Sequence, residues 1–171
     1  PEVRIAALEM IEPADPGNRL RAAGPLLSDP LRGVRIEAAR VLAGIPEAQM
    51  PEAQREAYRR ALGEYIEVQR QDADWPNANT NLGNLFLRLG RFDEAVVAYR
   101  RALKLDPLFA SAWVNLADAW RLKGDEKEVE ATLREGLAKL PRSAVAKLWL
   151  YFAPFLVVMM TAPLRASSPN R

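Results

Sequence analysis

Asn81-Leu82-Gly83-Asn84 is answered by Asn115-Leu116-Ala117-Asp118, 34 positions further along the chain. The echo is longer than four residues. Leu82, Gly83, Phe86, Ala95, Tyr99, Ala102 and Pro107 come round again as Leu116, Ala117, Trp120, Val129, Leu133, Gly136 and Pro141. A 34-residue helix–turn–helix period is the sequence signature of a stacked helical array. One such unit cannot bury its apolar face alone, so it stacks on its neighbours and leaves an open groove. The pattern predicts an all-α fold, a right-handed α-solenoid of stacked antiparallel helix pairs, and a binding scaffold.

The residues within the period have separate jobs. Small side chains at 83, 95 and 102 let helix axes approach closely, and Leu82, Phe86 and Tyr99 fill the space between them. Gly90 and Gly124 are placed to end the first helix of each pair with a left-handed cap. Asp106-Pro107 stops the second helix, because the residue before a proline avoids helical geometry. With Gly90-Arg91-Phe92-Asp93-Glu94-Ala95, Tyr99-Arg100-Arg101-Ala102-Leu103 and Leu105-Asp106-Pro107, residues 76–109 resemble a tetratricopeptide repeat. Residues 110–143 resemble a second one, through Ala112-Trp113, Lys123-Gly124-Asp125 and Gly136-Leu137. Val129 stands where that family prefers Ala, which implies a slightly wider helix pair.

A shorter echo lies upstream. Val3-Arg4-Ile5-Ala6-Ala7 matches Val34-Arg35-Ile36-Glu37-Ala38. Pro16-Gly17 reads as a break, residues 18–28 as a short apolar helix, and Pro30 as part of the first turn of the next helix. With Asp29-Pro30 ahead of Val34-Arg35, the segment resembles HEAT-type repeats, and the resemblance implies an Asp–Arg ladder between stacked units. A generic helical hairpin is the plainer alternative. Pro46 and Pro51 bracket a linker, and a long helix follows over residues 52–72. Its stripe of Ala57, Ala61, Leu62, Tyr65, Ile66 and Val68 has helical spacing. Ala61, Tyr65 and Val68 precede Ala95, Tyr99 and Ala102 by one repeat length, so this helix is expected to join both arrays into one solenoid. The expected division is 1–46 HEAT-like, 47–75 linker and connecting helix, and 76–109 and 110–143 repeats, with 144–171 as a tail.

That order of segments also resembles the C-terminal part of exported bacterial multihaem cytochrome proteins. The resemblance implies a redox partner and a bacterial periplasmic location; without it, the cytoplasm is the expectation. No residue here belongs to a haem motif, so no cofactor is expected.

Composition narrows the chemistry. The chain has 171 residues, of which 49% are apolar, enough for a substantial core. The 24 Lys and Arg against 22 Asp and Glu leave a net charge of +2, too balanced to point to nucleic acid. Without Cys or His, disulfides, thiol catalysis and Ser-His or Cys-His triads are excluded. The chain opens at Pro1 without a signal-peptide pattern and reads as a piece of a longer protein. From Leu148 through Leu164 no charge appears, and Pro154 interrupts the run. Three readings stand for this tail: a divergent capping helix, a non-native end, or a membrane segment.

No catalytic set assembles, and a non-enzymatic role is expected. Asp93/Glu94 and Asp125/Glu126/Glu128 sit at helix starts, where the helix dipole accounts for them. Arg59-Arg60 and Arg100-Arg101 read as solvated faces, and Trp75, Trp113, Trp120 and Trp149 as core or groove wall. The better signal is a polar ladder. Asn77, Asn81, Asn84 and Arg88 share one helical face, and Ser111, Asn115 and Asp118 repeat the stripe one unit later, with Arg121 beside them. Helix formers would serve an idle face better than Asn. The tetratricopeptide resemblance implies that this face lines a concave groove and that Asn84 and Asn115 grip peptide backbone amides. Thr80 also belongs to the candidate groove, at a position where a carboxylate-clamp repeat has Lys, which counts against an acidic C-terminus as ligand. The expected partner is a protein or peptide; a hydrated polar face without ligand is the bland alternative.

Overall fold

The chain is represented by a computed structural model that describes residues 2–141. Among these residues there are eight α-helices and no strand. They are α1 Glu2–Ile11, α2 Pro16–Ala23, α3 Arg32–Leu42, α4 Glu52–Gln71, α5 Pro76–Arg88, α6 Phe92–Leu105, α7 Ala110–Lys123 and α8 Glu126–Lys139. Short 3-10 segments lie at Gly24–Ser28 and Glu47–Gln49. The helices pack mainly on their neighbours in sequence, except that α1 packs more on α3 than on α2, giving an all-α solenoid. The three readings of residues 144–171 fall outside the described residues, as does Trp149.

The repeat region follows from its small residues. Gly83 of α5 faces Tyr99 of α6, and a Cβ at Gly83 would lie 2.6 Å from the Tyr99 ring atom Cδ1. Gly136 of α8 faces Trp113 of α7 in the same way, at 3.2 Å. Ala95, Tyr99, Ala102 and Ala117 are fully buried at these crossings. Gly90 and Gly124 have φ of +71° and +83°, the left-handed geometry that turns the chain between paired helices. Asp106 is extended (φ −138°) ahead of Pro107 and closes α6.

Two local expectations in the N-terminal segment are corrected. Pro16-Gly17 is not a break: Asp15 caps α2 by accepting a hydrogen bond from the Asn18 amide at 3.0 Å, and Pro16 occupies the first turn. Pro30 lies before α3 rather than in its first turn. Asp29 Oδ1 accepts the Leu31 amide at 2.9 Å, and Leu31 is the residue from which α3 starts. The Asp29 carboxylate is buried and pairs with Arg4, while Arg35 donates to the Asp29 carbonyl at 2.9 Å and clasps Glu64 of α4 with bonds of 2.9–3.2 Å.

α4 bridges the two halves. Its buried face is Ala57, Tyr58, Ala61 and Tyr65; Tyr58, absent from the expected stripe, is among the most deeply buried side chains. One core gathers α1–α3 and the first half of α4, and another gathers α5–α8. A small third core of Ala43, Tyr65 and Leu85 lies between them. Leu62 borders the first and third cores, and Ile66 the second and third, so apolar contact runs unbroken across α4.

Candidate partner-binding groove

α5 and α7, the first helices of the two repeats, pack side by side. Their facing polar residues form a linked set. Asn84 Oδ1 accepts two hydrogen bonds, one from the Tyr99 hydroxyl at 2.8 Å and one from Asn115 Nδ2 at 2.9 Å. Tyr99 is fully buried apart from this contact, and burial pushes its phenol well above the ordinary range, so it stays protonated and donates. A rigid core residue thus holds one carboxamide, and that carboxamide holds the next.

The remaining candidates are placed unevenly. Asn77 and Ser111 are exposed on α5 and α7. Asn81 is exposed and donates to Gln69 Oε1 of α4 at 3.2 Å. Asp118 and Arg121 pair with each other at 2.6 Å on α7. Thr80, expected at the groove, is instead only 6% exposed, and its hydroxyl donates back to the Pro76 carbonyl at 3.0 Å. It sits at the edge of the polar face, on the side that turns into the helix packing. Trp113 and Trp120 are buried as expected, but Trp75 is 68% exposed at the α4–α5 turn.

Arg88 is half-buried and turned away from a free groove surface. Its guanidinium donates to Glu12 Oε1 at the end of α1, at 2.5 Å. Glu12 also accepts two bonds from Arg40 of α3, both at 2.9 Å, and Arg40 holds Glu37 at 2.7 Å. The Arg40 hydrogen bonds, then those of Arg88, hold the Glu12 carboxyl below its ordinary value despite partial desolvation. This alternating cluster joins α1, α3 and α5. Sequence reasoning missed Glu12, Glu37 and Arg40: Glu37 and Arg40 are a local pair three residues apart, but nothing local links Glu12 to Arg88, 76 positions away. Tyr99 had a signal: it is the repeat position that faces Gly83.

Among the described residues, no group of three or more acidic side chains is arranged to hold a metal ion, and no helix is long and apolar enough to cross a membrane.

No curated protein matches the chain. Residues 80–149 match the model of the family described as Tetratricopeptide repeat. Repeats of this kind generally mediate protein–protein interaction and typically serve as non-enzymatic scaffolds. Together with the all-helical solenoid, the match supports a tetratricopeptide-repeat protein.

Proposed function

We propose that the protein is a non-enzymatic interaction scaffold that holds an extended partner segment along the α5–α7 face, with Asn84 and Asn115 gripping its backbone. The observation that carries this reading is the Tyr99–Asn84–Asn115 hydrogen-bond chain. Both incoming bonds end on Asn84 Oδ1, which leaves the Asn84 amide hydrogens and the Asn115 carbonyl oxygen without a further partner among the described residues. One donor and one acceptor are what a peptide unit requires. Because Tyr99 fixes the first carboxamide, little side-chain freedom is lost on binding.

The charges on this face favour a neutral segment. Arg88 is occupied by Glu12 and Arg121 by Asp118. Thr80 offers no cation where a carboxylate clamp needs one. Peptides selected from a random display library on the wild-type chain would test the reading. Asn84→Ala combined with Asn115→Ala should weaken the selected peptides about ten-fold or more, since each lost amide contact leaves a peptide group unpaired at about 1–3 kcal/mol. Tyr99→Phe, which releases Asn84 from its anchor, should give a smaller loss. Unchanged affinity in the double variant, with helicity intact, would remove this face as the binding surface.

A further inference from the structure

We propose that the groove between α4 and α6 receives Trp75 of a second copy of this chain, so that two copies pair by exchanging the same side chain. The groove has a volume of about 370 Å³. Leu82 and Phe86 of α5, with Val97 and Ala98 of α6, supply its apolar surface, and Arg70 and Arg101 also line it. Val97 is 68% exposed on its wall, and Trp75, at the neighbouring α4–α5 turn, is exposed to the same extent. From α4 onward these are the two most exposed large apolar side chains among the described residues, and Trp75 is the only exposed aromatic one. The chain thus carries an apolar projection with no seat of its own and an apolar groove with no filling.

The turn holds Trp75 firmly. Asn79 Nδ2 donates to the Ala73 carbonyl at 2.7 Å and to the Trp75 carbonyl at 3.0 Å, and the Trp75 amide donates to the Asp72 carbonyl at 2.9 Å. A projection whose backbone is already fixed loses little freedom on docking. Ala73 also lines the groove, so projection and groove are neighbours on one surface. That arrangement suits a two-fold pair, in which each copy gives one Trp75 and receives the other.

The lining chooses this occupant. Guanidinium groups are attracted to aromatic faces, and most strongly to indole. The chain already makes such a contact where Arg100 lies 5.5 Å from the centre of the Trp120 ring. The residue before the projection is Asp74, whose side chain is 97% exposed and reaches Arg101 of its own chain only at 3.8 Å. Glu94 is held by Arg91 and Asp93 by Lys123, which leaves Arg70 without an acidic partner among the described residues. Asp74 of the second copy would arrive beside the indole and supply that acid. The corresponding groove one repeat on, between α6 and α8, has Thr132 and Glu135 where this one has Ala98 and Arg101, and is a poorer seat for an indole.

The test is sedimentation equilibrium of the full chain across the micromolar range, with circular dichroism as the check on folding. The wild type should show a reversible monomer–dimer equilibrium. Trp75→Ser and Val97→Glu, both at exposed positions, should keep their helicity and each weaken the dimer about thirty-fold or more, as for a central aromatic anchor. An equimolar mixture of the two variants should form dimers at concentrations where each alone is monomeric. In that mixture the Val97→Glu copy still offers Trp75, and the Trp75→Ser copy still has an intact groove. If Val97→Glu does not fold, Arg70→Glu, at an exposed position and repelling Asp74, takes its place. A wild type that stays monomeric overturns the proposal. A dimer that survives either groove variant, or a mixture that pairs no better than its components, would overturn it equally.

Discussion

Adding one methyl group at Gly83 should destabilise the protein, although the same change stabilises most helices. In an exposed helix interior, Gly→Ala gains about 1 kcal/mol of helix propensity. At Gly83 the new Cβ would be 2.6 Å from Tyr99 Cδ1 and 2.7 Å from Cζ, far inside van der Waals contact. Tyr99 cannot give way cheaply, because it is fully buried and its hydroxyl is tied to Asn84. Overpacking of this kind costs roughly 1–3 kcal/mol. Pulling the hydroxyl off Asn84 adds about 1 kcal/mol. The net expectation for Gly83→Ala is a loss of about 1–3 kcal/mol. Gly63 supplies the control: it is exposed within α4, and a Cβ there meets nothing within 4 Å. Gly63→Ala should therefore gain about 0.5–1 kcal/mol. Urea unfolding followed by circular dichroism reads both, and a thermal melt should move about 2–4 °C per kcal/mol for a chain of this size. A Gly83→Ala protein as stable as wild type would mean that α5 and α6 do not cross where the structure puts them.

Leu116→Ala should cost roughly 2–5 kcal/mol by opening a cavity in the α5–α8 core, where Leu116 is 3% exposed; a chemical melt checks it. Glu12 is held below its ordinary value of 4.5 by Arg40 first and Arg88 second, so its contribution is complete above that pH and is lost as the pH falls through the lower folded value. Stability measured against pH should accordingly drop more steeply below pH 4.5 in wild type than in Glu12→Gln. Limited digestion with an Asp-directed protease should spare residues 60–140, even though the Asp74 side chain is 97% exposed at the α4–α5 turn. Rapid release of two fragments cut near Asp74 would show that α4 does not couple the halves.

The α5–α8 region was legible because each structural need there has a local sign. Gly83 and Gly136 mark close crossings, Gly90 and Gly124 mark left-handed turns, and Leu82 and Leu116 repeat the core position. The N-terminal segment was less legible. Asp15 and Asp29 use their carboxylates on neighbouring amides, and that capping chemistry decides whether a nearby proline ends a helix or precedes one. Asn84 and Asn115 were visible as a polar stripe, but the Tyr99 anchor behind Asn84 was not, since Tyr99 reads first as a core residue. Thr80 lies about 100° from Asn81 but only about 40° from Asn84 on a helix of 3.6 residues per turn, so it borders the stripe and its position alone does not reveal that it turns into the packing. Arg88 looked like the end of the same stripe; its partner Glu12 can be found only in three dimensions.

The Arg88–Glu12 pair also bears on how the chain reaches its fold. Most packing here joins helices adjacent in sequence, an arrangement that favours rapid folding. Arg88 and Glu12 are 76 residues apart, so their contact closes a loop holding three intervening helices and has to await the docking of α3, α4 and α5. A bond made that late belongs to the native state more than to the transition state. Arg88→Met should then accelerate unfolding in stopped-flow experiments and leave the refolding rate nearly unchanged. An equal slowing of refolding would place the pair in the folding nucleus. On this view the pair acts as a latch, setting how long the assembled array persists rather than how fast it forms.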